Sequence, residues 1–193
     1  MVLAFLRGEL ESPRFGHETR LALEACGGLG LVTAPDLESD DENAARRQAL
    51  TMTKGWGTDT GLFKGFPADV SWSHGVLDTD ELVRVRFIDY SYWVEISGGS
   101  RRPADVVRTL ASDDLAPWVR QLGVDWCYDL AAVLRETHRM HPLVVVATPD
   151  LARIVVVEGH ARLTGLYAAD LAGDFEVVAY VGTSPSISAW ALF

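Results

Sequence analysis

Cysteine is scarce in this chain. Its 193 residues include two, Cys26 and Cys127, far apart and without a C-x-x-C spacing. That excludes a disulfide-stapled framework and a zinc ribbon, and it fits free thiols in a reducing compartment. Long apolar runs are missing as well. The opening MVLAFLRGELESPRFG is interrupted at Arg7 and Glu9, and no stretch of some 18 apolar residues follows that would cross a bilayer. No secretory leader is recognisable, so the expected setting is soluble and cytoplasmic, with no membrane partner. Positive charge is in deficit: 17 Lys and Arg face 27 Asp and Glu, a formal net charge of -10. Affinity for phosphate backbones comes largely from Lys and Arg displacing counterions, so nucleic acid is an improbable partner and nuclease or DNA-binding activity the least favoured function. There is no internal repeat and no G-x-x-x-x-G-K-[ST] phosphate loop.

What is present is a globular composition, 48% apolar, long enough to bury a sizeable core. Residues 1–32 read as a helical start with Ser12-Pro13 as N-cap and N1, leading to the Gly27-Gly28-Leu29-Gly30 breaker. APDLESDDENAA, residues 34–45, reads as a solvated acidic loop running into a helix through Arg46, Arg47 and Leu50. Glycines and Pro67 then punctuate residues 55–67 as turns. Residues 80–96, DELVRVRFIDYSYWVEI, read as a strand ending in the Ser97–Pro103 turn, followed by helices through Val106, Val107 and Leu110 and over 124–137. The aromatics Trp56, Phe63, Phe66, Trp72, Tyr90, Tyr92 and Trp93 are expected to build the core of an N-terminal layer.

The last third alternates cleanly. Residues 143–148 and 153–157 are strands, 161–172 a helix with Leu163, Leu166, Tyr167 and Leu171 at helical spacing, and 176–181 another strand. This β-β-α-β order predicts an α+β fold with a mixed sheet. At the strand–helix corner stand Glu158, Gly159, His160 and Arg162. A helix N-terminus carries unpaired N–H groups and partial positive charge, Gly159 permits close approach, and Arg162 in the first turn offers a planar fork to an oxyanion. His160 adds a hydrogen-bond donor that moves a proton near neutral pH. The alternative is a purely architectural corner in which Glu158 caps and Arg162 forms an ion pair.

The order PLVVVATPDLARIVVVEGHARLTGLYAADLAGDFEVVAYVG, residues 142–182, resembles the core of the ParB/sulfiredoxin superfamily. There a strand pair leads into a G-x-x-R-type corner, a helix and a closing strand. The Glu158-Gly159-His160-Ala161-Arg162 corner is similar to the D-G-H-H-R form of the free-serine kinases, with Glu for Asp and Ala161 for the second His. The resemblance implies a ParB/sulfiredoxin-like mixed-sheet core over 81–193, with an N-terminal helical, loop-rich layer over 1–80, the whole forming one domain. It implies that Gly159, His160 and Arg162 contact the phosphates of ATP, ADP or CTP. Sulfiredoxin chemistry is excluded because no cysteine occupies the corner. A ParB-type DNA clamp would need a helix-turn-helix module and a basic surface.

The resulting expectation is a nucleotide-dependent phosphotransferase, kinase-like, or a nucleotide hydrolase, acting on a small molecule. Glu158 or Glu95 would act as base or Mg²⁺ ligand. Glu95 is read as ending an apolar strand, where it faces water or pairs with Arg101. Arg101 and Arg102 supply either a second anion subsite or a plain basic turn. Thr183 and Ser184, after the final strand, either bond a ligand or stabilise their own turn. His138 and His141 lack the acids or cysteines that would complete a metal set. The rival expectation is a non-enzymatic binding or regulatory module, and the apolar ending Ala189–Phe193 is expected to dock on its own core or, in a homodimer, on another subunit.

Overall fold

A serine before three consecutive acids is a helix start, because its oxygen takes a free amide and the acids face the positive end of the helix. Ser39 does this: its Oγ accepts the Glu42 N–H at 3.2 Å, and Asp40, Asp41 and Glu42 form the first turn of a helix over Asp40–Lys54. The computed structural model describes every residue except 91 and 123–125. It divides into two units, Met1–Ala68 and Asp69–Phe193. The first holds α1 (Val2–Glu11), α2 (Gly16–Cys26), α3 (Gly30–Thr33) and α4 (Asp40–Lys54). Phe5, Leu6, Leu23, Leu50 and Phe63 are buried there, and Trp56 and Phe66 meet Phe63 edge-on at 4.7 and 5.2 Å. Ser12-Pro13 does not start a helix. Burial of Ala4, Phe5 and Leu6 draws α1 back to Val2, and Ser12 closes it, with its Oγ accepting the Arg14 and Phe15 amides.

The second unit contains β1 (Ser71–Leu77), α5 (Thr79–Arg84), β2 (Val85–Phe87), α6 (Tyr92–Ile96), α7 (Pro103–Leu110), α8 (Pro117–Gln121), α9 (Trp126–Thr137), β3 (Leu143–Ala147), β4 (Ile154–Glu158), α10 (His160–Ala168) and β5 (Val177–Thr183). Two residues of the expected 124–137 helix, 124 and 125, lie outside the described residues. The strands form one mixed sheet in the order β1-β5-β3-β4-β2, with β1–β5 and β3–β4 antiparallel and β3–β5 and β2–β4 parallel. The fold is therefore α+β. Central strands buried on both faces need apolar residues at every position, and all five residues of both β3 and β4 are buried. On one face Leu143, Val145, Ile154, Val156, Val177 and Ala179 pack with Val106 of α7, Leu134 of α9 and Leu163 and Leu166 of α10.

Two expectations change here. Residues 80–96 are not one strand. Asp78 and Glu81 form a reciprocal capping box, Asp78 Oδ1 accepting the Glu81 N–H at 2.7 Å and Glu81 Oε2 the Asp78 N–H at 2.9 Å. That local signal overrides the β-rich composition, and among the described residues of 80–96, which leave out 91, only Val85–Phe87 is strand. The division between units falls at 68/69 rather than 80/81, because β1 pairs along all of β5. Among the described residues, no helix is long and apolar enough to cross a membrane.

Candidate functional site

Strand β4 delivers Glu158 to the edge of the core, and the chain must then turn sharply into α10. Gly159 makes the turn with φ 106° and ψ 18°, a region that side chains disfavour. It also has no room for one. A Cβ at this position would collide with Leu143 Cδ2 and lie 3.2 Å from Arg162 Nη2. As N-cap it supplies no capping side chain of the kind Ser39 gives α4.

Arg162, one turn into α10, folds back over Gly159 and donates from Nη2 to Glu158 Oε2. The pair is largely withdrawn from water, its side chains being 11% and 7% exposed. Arg162 Nη1 is also buried, and it has no hydrogen-bond partner among the described residues. His160 lies against aromatic rings: its imidazole stacks on Phe87 at 5.4 Å and 23° and on Trp93 at 5.9 Å and 17°. Its Nε2 is buried without a hydrogen-bond partner among the described residues. Burial first, and the nearby Arg162 charge second, push its pKa down to about 3. The imidazole is thus neutral at pH 7. It can offer a hydrogen bond, but not the neutral-pH proton transfer expected of it.

The structure places the remaining expected residues elsewhere. Glu95 sits on α6, exposed, rather than at a strand end, because Tyr92–Ile96 coil into a helix that buries Trp93 and Ile96 instead. Arg101 is buried with φ 59° and is held by main-chain carbonyls. Its Nε donates to Phe87 O at 2.7 Å, Nη1 to Phe193 O at 2.9 Å and Nη2 to Leu192 O at 3.4 Å, and Asp89 lies 3.7 Å away. Burial lowers its pKa, and Arg153 and Arg86 add to that against Asp89. Arg101 therefore fixes the tail rather than opening an anion subsite. Arg153 also donates to Phe193 O, at 2.6 Å, and Trp190 and Phe193 are buried, so the apolar ending docks on its own unit.

Thr183 and Ser184 stand at the other end of the sheet. Glu158 is opposite Val144 on β3, and Thr183 is opposite Ala147 three residues on, about 10 Å along the strand direction. Ser184 is buried and donates to Asp69 Oδ1 at 2.6 Å while accepting the Ser186 amide at 2.9 Å. This bond is the main cause that lowers the Asp69 pKa, so the cluster is a turn latch. Among the described residues, no three of His, Cys, Asp and Glu gather to hold a metal ion.

The corner thus brings together Glu158, Gly159, His160 and Arg162 and leaves out Glu95, Arg101, Thr183 and Ser184. Sequence reasoning missed Phe87, Trp93 and Leu143 as parts of it. Trp93 is not part of the N-terminal aromatic core expected for it: Trp56, Phe63 and Phe66 belong to the first unit, and a tryptophan two residues before an acid carries no signal for a partner 67 positions away. No family model, curated protein or solved structure matches this chain.

Proposed function

We propose that the second unit has a ParB/sulfiredoxin-like core and seats the phosphates of a nucleotide, ATP, ADP or CTP, at the amino end of α10, for phosphoryl transfer to, or hydrolysis beside, a small molecule. The observation that carries this reading is the Nη1 of Arg162, buried and without a hydrogen-bond partner among the described residues, beside a helix N-terminus whose N-cap is a glycine. A buried guanidinium donor without an acceptor costs free energy, and a phosphate oxygen would remove that cost while meeting the helix amides. Gly159 makes the sharp turn that sets Arg162 over the start of α10. Neutral His160 donates one hydrogen bond. Glu158 exchanges its hold on Arg162 for a role as proton acceptor or Mg²⁺ ligand. Mg²⁺, when bound, would neutralise phosphate charge through Glu158 and the nucleotide's own oxygens, the sparse protein ligation usual for this ion.

Binding of labelled ATP, ADP and CTP with Mg²⁺ tests the proposal, in the native chain and in Glu158→Gln. The variant keeps a hydrogen-bond acceptor for Arg162 but lifts the negative charge from the seat. Expected is nucleotide binding that tightens several-fold in Glu158→Gln while Mg²⁺-dependent turnover is lost. Absence of sub-millimolar binding in both proteins would overturn the reading. One observation favours a second reading, a non-enzymatic binding or regulatory module. Glu158 already neutralises Arg162, and an ion pair this buried can serve architecture alone.

A further inference from the structure

The edge strand β1 is open. All seven of its residues, Ser71–Leu77, pair with β5 on one side. On the other, it is the end of the sheet, and among the described residues no main-chain group of 71–77 bonds to anything but β5. Alternate residues of such a strand direct their N–H and C=O groups outward, as a ready template for another strand. Proteins usually blunt these edges with lysine, proline, a bulge or a covering element. This one carries SWSHGVL, without charge or proline, and five of its seven residues are exposed. One face of the β1–β5 ribbon is also apolar and aromatic. The Trp72 ring lies across Gly182, where a Cβ would come within 2.9 Å of it, His74 meets Tyr180 at 4.8 Å, and Val76 is 53% exposed.

Charge at the two ends of the strand identifies the occupant. Asp69 precedes β1 and Asp78, Asp80 and Glu81 follow it. The register sets Leu77 opposite Val177, which brings exposed Glu176 and Asp174, the residues leading into β5, to the same end. A second copy fits poorly. Paired antiparallel about His74, it would bring Asp78 of one strand to the Asp69 end of the other; paired parallel, it would set each acid beside itself. Like charges directly opposite are destabilising in a sheet. A strand with an uncharged middle and cationic ends has no such conflict.

We propose that β1 is a docking edge for an extended peptide segment of about seven residues, with apolar side chains at alternate positions and Lys or Arg at its ends, added to the sheet as a sixth strand. Main-chain hydrogen bonds to β1 hold it. Its alternate side chains lie beside Trp72, His74 and Val76, and its cations lie beside Asp69 at one end and Asp78, Asp174 and Glu176 at the other. The site is independent of the α10 corner and does not depend on nucleotide binding.

Three synthetic peptides test this, each followed by the backbone amide shifts of residues 71–77 in the full chain at low ionic strength. The first is an alternating Thr-Val heptamer with three lysines at each end. The second replaces the lysines with glutamates. The third keeps the lysines and replaces the heptamer with seven prolines, which cannot donate to a ladder. The first is expected to bind at least tenfold more tightly than the other two, and Asp174→Lys/Glu176→Lys to narrow or invert the lysine–glutamate preference. Both positions are exposed, so the variant is expected to fold. Equal binding of the proline peptide would reduce the effect to charge alone and overturn strand addition. Failure of all three peptides to shift residues 71–77, or concentration-dependent self-association abolished by Val76→Lys, would equally overturn it, the latter in favour of a second copy.

Discussion

Two glutamate–arginine pairs are spaced four residues apart in this protein, one within α4 and one across the turn from β4 into α10, and they do different work. In α4, Arg46 is 1% exposed and both its terminal nitrogens are engaged: they donate to Glu42 Oε2, Asn43 Oδ1, Leu31 O and Asp36 O, all between 2.7 and 2.9 Å. Glu42 also accepts the Asp36 amide at 2.9 Å. This pair ties the acidic loop to its helix, with the terminal nitrogens of Arg46 spent on that task. In the corner between β4 and α10, Arg162 has the same spacing from Glu158, and the glutamate is far more buried than Glu42, yet Arg162 Nη1 has no hydrogen-bond partner among the described residues and the N-cap Gly159 gives the helix no side-chain cap. Residue types and spacing are alike in the two places. What separates structural from potentially functional is how many donors the surrounding main chain satisfies.

The largest effect that would sharpen this contrast comes from making each pair neutral. Glu42→Gln/Arg46→Met removes donors from the buried Leu31 carbonyl and from Asp36, and should cost about 4 kcal/mol in urea unfolding followed by tryptophan fluorescence. Glu158→Gln/Arg162→Met strands no main-chain carbonyl and should stay within about 1 kcal/mol of the native chain. Equal losses would break the comparison. Next is Gly159→Ala, which combines a disfavoured positive φ with a collision against Leu143; a loss of about 3 kcal/mol is expected by the same measurement.

The smallest effect is a pH dependence centred on His160. Its folded pKa of about 3 lies below the ordinary 6.5, so below pH 6.5 the unfolded chain binds a proton that the folded one refuses. Its contribution to stability is therefore full above about pH 6.5 and is lost as pH falls toward 3. From pH 7 to pH 5 the loss is on the order of 2 kcal/mol. In His160→Phe, which keeps a ring against Phe87 and Trp93, that slope should be absent, and a parallel slope in both proteins would place its origin elsewhere.

Much of the second unit was legible because its signals are local or periodic. The β-branched runs at 143–147 and 154–158 and the strand at 177–183 lie within one or two residues of their expected places, and the helix after Gly159 starts one residue early but ends at Ala168, four residues before the expected 172. β1 escaped notice for the same reason that it matters. An edge strand exposed on most of its residues has no core to face, so it shows no alternation. The long strand expected over 80–96 failed because aromatic and β-branched composition reports burial more than conformation, and a capping box at Asp78 decided the local structure.

The sequence by itself determined the α+β class, the central strands, the glycine corner and the closeness of Glu158, Gly159, His160 and Arg162, since all of these depend on neighbours within a few positions. It could not determine which polar groups remain free. Arg101 is 91 and 92 residues from the tail carbonyls it holds, Ser184 is 115 from Asp69, and His160 finds its aromatic partners on β2 and α6, 73 and 67 positions away. Hydrogen bonds and desolvation act through space at contact range, so whether a charged side chain is left for a ligand is decided only when the chain has closed around it.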